Sequence, residues 1–191
     1  MPARLEPVIT ESKLRLMWSR MLKAARFDSR TLLELKEDRT ATGQGVAIVG
    51  FAGISYGLGV SLITATETNT FSGTALLLGG LFGMLTSVAA SLVWSIATFV
   101  IGTKLFRGNT SYWGLARPLF YSTTPALLFI LIAIPVLPAR QVVGAIVWVW
   151  TLIAGVFAMK NAMGFSNERS MLTFVVAVLL LGLLGGFALS F

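Results

Sequence analysis

The side chains best able to do chemistry in this chain are cations set among apolar residues, and the chemistry they suit is attraction to an anionic surface. From Ser12 to Phe27 the sequence reads SKLRLMWSRMLKAARF. Leu14, Met17, Trp18, Met21, Leu22 and Ala25 recur at helical spacing, while Lys13, Arg15, Arg20, Lys23 and Arg26 fall on the other half of the wheel. Such a helix suits the headgroup region of a bilayer, where each basic residue contributes about 1 kcal/mol with anionic lipid. Arg15, Trp18, Arg20, Met21, Lys23 and Arg26 are therefore expected to contact a membrane surface or a protein partner. The competing expectation is that the helix packs on the loops of its own chain.

Catalytic chemistry has little to work with. The chain has no Cys and no His, which removes disulfides, thiolates and the commonest general base and metal ligand. Gly79-Gly80 and Gly185-Gly186 sit in apolar runs without the Lys, hydroxyl or acidic partners of a phosphate-binding loop. No catalytic residue, cofactor or metal is implied, and no nucleic-acid module is visible.

The elements that must position the basic helix follow from composition. The chain has 191 residues, 55% of them hydrophobic and only 12% charged, with a mean hydropathy of +0.82. A water-soluble domain carries about 25% charge. Lipid must cover much of this surface, and the expected fold class is an all-α integral membrane bundle. Between flanking charges lie uncharged intervals of 27, 36, 22, 19 and 22 residues, and a hydrocarbon core of about 30 Å needs about 20 helical residues. Five transmembrane helices are expected, at Gly45 to Thr64, Ala75 to Gly102, Leu119 to Leu137, Val142 to Met159 and Met171 to Ser190. The polar stretch TNTFSGT, residues 68–74, reads as a loop.

Charge asymmetry orients the bundle. With five spans, 14 of the 15 basic residues fall on one side and only Arg140 on the other, whereas splitting the second interval would divide them ten and five. Lys and Arg accumulate in cytoplasmic loops, so the amino terminus is expected to be cytoplasmic and the carboxyl terminus outside. Residues 1–40 contain no apolar signal-peptide core. The absence of Cys and of an organellar presequence suits a prokaryotic plasma membrane. Residues 1–43 then form a cytoplasmic helical segment and 44–191 the membrane domain. Within that segment Thr31 and Glu34 have capping-box spacing and predict a second short helix carrying Leu32, Leu33 and Leu35. Two such helices are too small to form a core alone.

Inside the expected spans, Gly53-x-x-x-Gly57, Gly79-x-x-x-Gly83 and Gly182-x-x-x-Gly186 would let helix backbones approach closely, within one bundle or between copies in a homo-oligomer. Pro125 predicts a kink in the third span, its freed carbonyl met by a nearby hydroxyl. None of the expected spans holds an ionisable residue, which argues against an ion or proton pathway. Trp148 and Trp150 lie well inside the fourth.

Several short segments together resemble the Yip domain family, the Ypt/Rab-interacting-protein type of five-span membrane protein, and in particular its prokaryotic branch. They are Met17-Trp18-Ser19-Arg20-Met21-Leu22 with Ala25-Arg26-Phe27-Asp28, and Ala41-Thr42-Gly43-Gln44. Trp113-Gly114-Leu115-Ala116-Arg117 follows, leading to Tyr121 and Pro125, and then Met163-Gly164-Phe165-Ser166. The resemblance implies a five-helix bundle with a cytoplasmic amino terminus. Eukaryotic members bind Rab-type GTPases and help to shape membranes, and the family has no catalytic motif to carry over. The short basic amino-terminal segment departs from the longer tails of many eukaryotic members.

The function expected from these features is non-enzymatic: a multi-pass scaffold or accessory factor that recruits a partner or shapes the bilayer, with membrane lipids as its first partners. The alternative is a transporter or permease for a small apolar or lipid-like substrate. A lipid-modifying enzyme is a third reading, for which only scattered Ser, Thr and Asn are available outside the amino-terminal segment.

Overall fold

The computed structural model describes residues 6–183, with side chains for 14–182, and every regular element among the described residues is helical. Helix α1 (Glu6–Ala25) turns at Phe27 into α2 (Ser29–Glu37), and α3 (Ala41–Glu67) follows. After a break at Thr68 to Ser72, α4 (Gly73–Val100) runs on through a π-helical turn at Ile101–Leu105. Then come α5 (Tyr112–Ser122), a 3₁₀ segment (Thr124–Ala133), α6 (Leu137–Met163) and α7 (Asn167–Leu183).

Four helical stretches among the described residues are long and apolar enough to cross a membrane: Ala41–Glu67, Gly73–Leu105, Tyr112–Ala133 and Leu137–Met163. The expected fifth span, Met171 to Ser190, coincides with α7 as far as Leu183 and then leaves the described residues, as does Gly186. The third span departs from expectation. The expected bounds are Leu119 to Leu137, but the apolar helical stretch is Tyr112–Ala133, because Ser111 caps α5 by accepting from the Gly114 N–H and so starts the helix before Arg117. Arg117 consequently lies inside a span, correcting the expectation that the spans hold no ionisable side chain. The second short helix also starts elsewhere than expected. Asp28, not Thr31, is its cap, with one carboxylate oxygen accepting from both the Thr31 N–H (3.0 Å) and the Thr31 hydroxyl (2.6 Å).

Helices α3 and α4 meet antiparallel through glycine. A methyl group at Gly53 would lie 2.2 Å from the Gly83 carbonyl oxygen, and one at Gly57 would lie 2.0 Å from that of Gly79. Both of these Gly pairs thus face each other within one chain. Gly182 has nothing within 4 Å of such a methyl group and borders a cavity instead. The third span runs parallel to α3. Arg117 meets Thr42 near one end, Ser55 meets Leu127 and Ile130 in the middle, and Arg140 just beyond it pairs with Glu67 at 2.8 Å.

At Pro125 the α-helix gives way to 3₁₀ geometry. The Tyr121 carbonyl that a continuing helix would have paired with residue 125 accepts from the Thr124 hydroxyl (2.7 Å). Farther on, the Ser55 hydroxyl donates to the Leu127 carbonyl (2.6 Å) and accepts from the Ile130 N–H (2.9 Å).

The α3–α4 contact gives a direct test. Gly57→Val should cost about 3 kcal/mol by overpacking against backbone that cannot retreat, lowering the thermal midpoint in detergent. Gly43→Ala, which meets open space near the start of α3, should leave the midpoint unchanged or raise it.

Candidate functional site at the basic end of the bundle

The α1–α2 hairpin is built into the end of the bundle that carries most of the Lys and Arg. Met21, Ala24, Leu32 and Leu35 share one buried cluster with Leu115, Leu119 and Tyr121 of α5 and with Ala158, Met159 and Ala162 of α6. The chain reverses at Phe27, whose φ of 63° is the left-handed conformation a tight helix-to-helix turn requires. Its ring stacks on Phe157 at 5.2 Å between centroids and lies in a hollow with Ala145, Val149 and Ile153.

Two polar contacts hold the hairpin. The Trp150 indole N–H donates to the Ala25 carbonyl (2.7 Å), which α1 leaves without a helical partner. Arg20 Nη1 pairs with Asp38 at 2.7 Å, closing the hairpin across its open end. Burial alone would raise the Asp38 carboxyl, but hydrogen bonds from the Thr40 hydroxyl, Arg20 and the Thr40 N–H outweigh it and hold the pKa below 3.8. Asp28 is lowered too, chiefly by the Thr31 hydroxyl and then by the Thr31 N–H.

This docking sorts the expected contact residues into two sets. Met21, only 4% exposed, faces the bundle, and Arg20 is drawn in by Asp38. Trp18 (58% exposed) and Leu22 (45%) face outward with Leu14 (59%), beside exposed Arg15, Lys23 and Arg26. The apolar face that periodicity assigns to one surface is therefore shared between the protein and its surroundings.

Two further cavities lie in the bundle. An open cleft of about 440 Å³ at the basic end is bounded by Arg39, Thr42, Ser111, Trp113 and Arg117. Arg117 is 7% exposed; its Nε donates to the Thr42 hydroxyl (2.8 Å) and its Nη1 to the Lys36 carbonyl (2.8 Å) in the last turn of α2. Among α4, α5, α6 and α7 lies an apolar cavity of about 220 Å³, reached by Trp94, Phe120, Leu152, Phe174 and Val178.

The Yip1 domain model matches residues 27–189. The chain belongs to the Yip1 domain family. Neither a curated protein nor a solved structure matches it significantly. The Yip1 match opens at Phe27, the turn residue, so it takes in α2 and the described bundle, while α1 lies before it. In this Yip1 domain the residues that periodicity missed are Asp38, Arg39, Arg117 and Trp150. Only Trp150 carried a signal, an indole N–H in mid-span that needed a partner.

Acid should loosen the hairpin. A carboxylate with a lowered folded pKa contributes stability that is fully present above 3.8 and lost as pH falls through the folded value. Pepsin cleavage near Phe27 should therefore accelerate below about pH 4, with Asp38→Asn removing part of that step and Asp28→Asn the rest. At neutral pH, Asp38→Asn should cost about 2 kcal/mol by depriving Arg20 of its charged partner. Trp150→Phe keeps the ring but strands the Ala25 carbonyl, and should lower the thermal midpoint by the equivalent of about 1 kcal/mol.

Proposed function

We propose that this Yip1 domain protein is a non-enzymatic membrane scaffold that shapes the bilayer, with the α1–α2 hairpin as a wedge in one leaflet. The observation that carries this reading is the depth of the hairpin tip. Trp150 is the middle residue of the 27-residue α6, and Ala25 and Phe27 lie against it. Ten residues of helix separate Trp150 from Lys160 at the basic end, about 15 Å at 1.5 Å per residue. That is about half of a hydrocarbon core.

The tip carries exposed Lys23, Arg26 and Arg30. Cations at that depth demand headgroups or water, and a bilayer meets that demand by thinning and bending around them while the side chains snorkel outward. Leu14, Trp18 and Leu22 on the same outward surface supply the apolar area that keeps the wedge in lipid rather than in solution.

The matching topology has five spans, the amino terminus cytoplasmic, the hairpin in the cytoplasmic leaflet, and the carboxyl terminus outside. It is supported by the charge asymmetry and by Arg140, whose charge is met by Glu67 at the opposite end. A lipid-transport reading draws on a separate observation, the apolar cavity among α4 to α7, which is shaped for a hydrocarbon tail.

Reconstitution into vesicles of mixed zwitterionic and anionic lipid tests the proposal. The protein should draw the vesicles into tubules or smaller radii seen by electron microscopy. Trp18→Ser with Leu22→Ser should weaken that effect several-fold at an unchanged thermal midpoint, since neither side chain is packed in the core. Unaltered vesicle shape with the parent protein would overturn the wedge, and lipid exchange between leaflets without deformation would favour transport.

A further inference from the structure

The open cleft beside the hairpin has the chemistry of an anion site. Arg117 is nine-tenths buried and lines it, yet no carboxylate lies within ion-pair distance among the described residues. A buried cation without a counter-charge is costly. The Lys36 carbonyl offsets that cost in part, because it belongs to the negative end of the α2 dipole. Arg39, exposed on the same cleft, also has no ion pair among the described residues, and its neighbour Asp38 is committed to Arg20 and Thr40.

The hydroxyls fit the same ligand. Thr42 accepts from Arg117 and Ser111 accepts from the Gly114 N–H, so each keeps its own hydrogen to donate. Thr42 also stands in the first turn of the 27-residue α3, whose Thr40 N–H is already taken by the Asp38 carboxylate (2.9 Å), so the cleft's attraction for an anion comes from its side chains. Trp113, 43% exposed at the rim, has the amphipathic ring that settles at headgroup level.

We infer that this cleft binds an anionic phosphate ester, with Arg39 and Arg117 on the phosphate oxygens and the Thr42 and Ser111 hydroxyls completing the cradle, and that its source is a lipid headgroup. Guanidinium planes suit phosphate because two parallel N–H groups meet two oxygens. The inference uses none of the wedge residues, so loss of headgroup binding and loss of bilayer deformation are separate results.

Native mass spectrometry of the full chain in mild detergent, titrated with phosphatidic acid, with phosphatidylcholine of the same tails and with inorganic phosphate, tests it. Phosphatidic acid should bind about tenfold more tightly than phosphatidylcholine, and Arg39→Gln should weaken it about tenfold. Arg169→Gln, exposed in the first turn of α7 and outside both the hairpin and the cleft, should leave it unchanged. Arg117→Lys should weaken it as well, its fold checked by thermal melting, while Arg39 is exposed enough for its variant to fold regardless. Equal affinity for the two lipids, or equal losses from Arg39→Gln and Arg169→Gln, would overturn the site in favour of general charge attraction. Competition by millimolar phosphate that depends on Arg39 would keep the phosphate chemistry and replace the lipid by a soluble ester. Absence of such competition assigns the lipid headgroup.

Discussion

In hydrocarbon a backbone carbonyl or N–H has no water to turn to, and most of the specific contacts in this protein answer that constraint. Wherever a helix ends or changes pitch at membrane depth, a side chain from a neighbouring turn or another helix supplies the missing partner. Trp150 serves the Ala25 carbonyl at the end of α1, and Thr124 serves Tyr121 where Pro125 interrupts the third span. Ser55 bridges Leu127 and Ile130 in the 3₁₀ segment. These bonds are few, and each is costly to lose, because the group left behind stays buried.

The same constraint explains how a hairpin of two short helices can sit against the middle of an apolar helix. Its core contacts are small and aliphatic, its turn is covered by Phe157, and the carbonyl exposed by its reversal is taken by an indole from the centre of α6. Its charges stay on the outer surface or are paired, as Arg20 is with Asp38. Docked this way, α1 gives one side of its apolar stripe to the protein and leaves the other, with Leu14, Trp18 and Leu22, exposed. The basic end then differs from its opposite in shape as well as in charge.

Arg117 shows how a strong charge is carried within a span. It packs under the α2 terminus, donates to a carbonyl and a hydroxyl, and lines an open cleft. Buried ionisable groups in membrane domains usually mark function, and here the residue that appeared to end a loop is the floor of a polar site.

The sequence by itself determined that this is a helical membrane protein, because apolar runs of about 20 residues admit no other economical way to satisfy the backbone. It also determined which end is basic, and the residues that carry the family resemblance run through most of the chain. Local chemistry was legible where partners are close in sequence: the α3–α4 break and the interruption of the third span at Pro125. What tertiary structure decided involves partners far apart. Which half of the α1 stripe is buried depends on where α5 and α6 stand, and Arg20 turns inward only because Asp38, 18 residues on, waits there. Arg117 read as a boundary charge because hydropathy counts it as one, while its partners, Lys36 and Thr42, are 81 and 75 residues away. Periodicity reports which residues share a face, but the neighbour that face meets is set by the packing of the whole bundle.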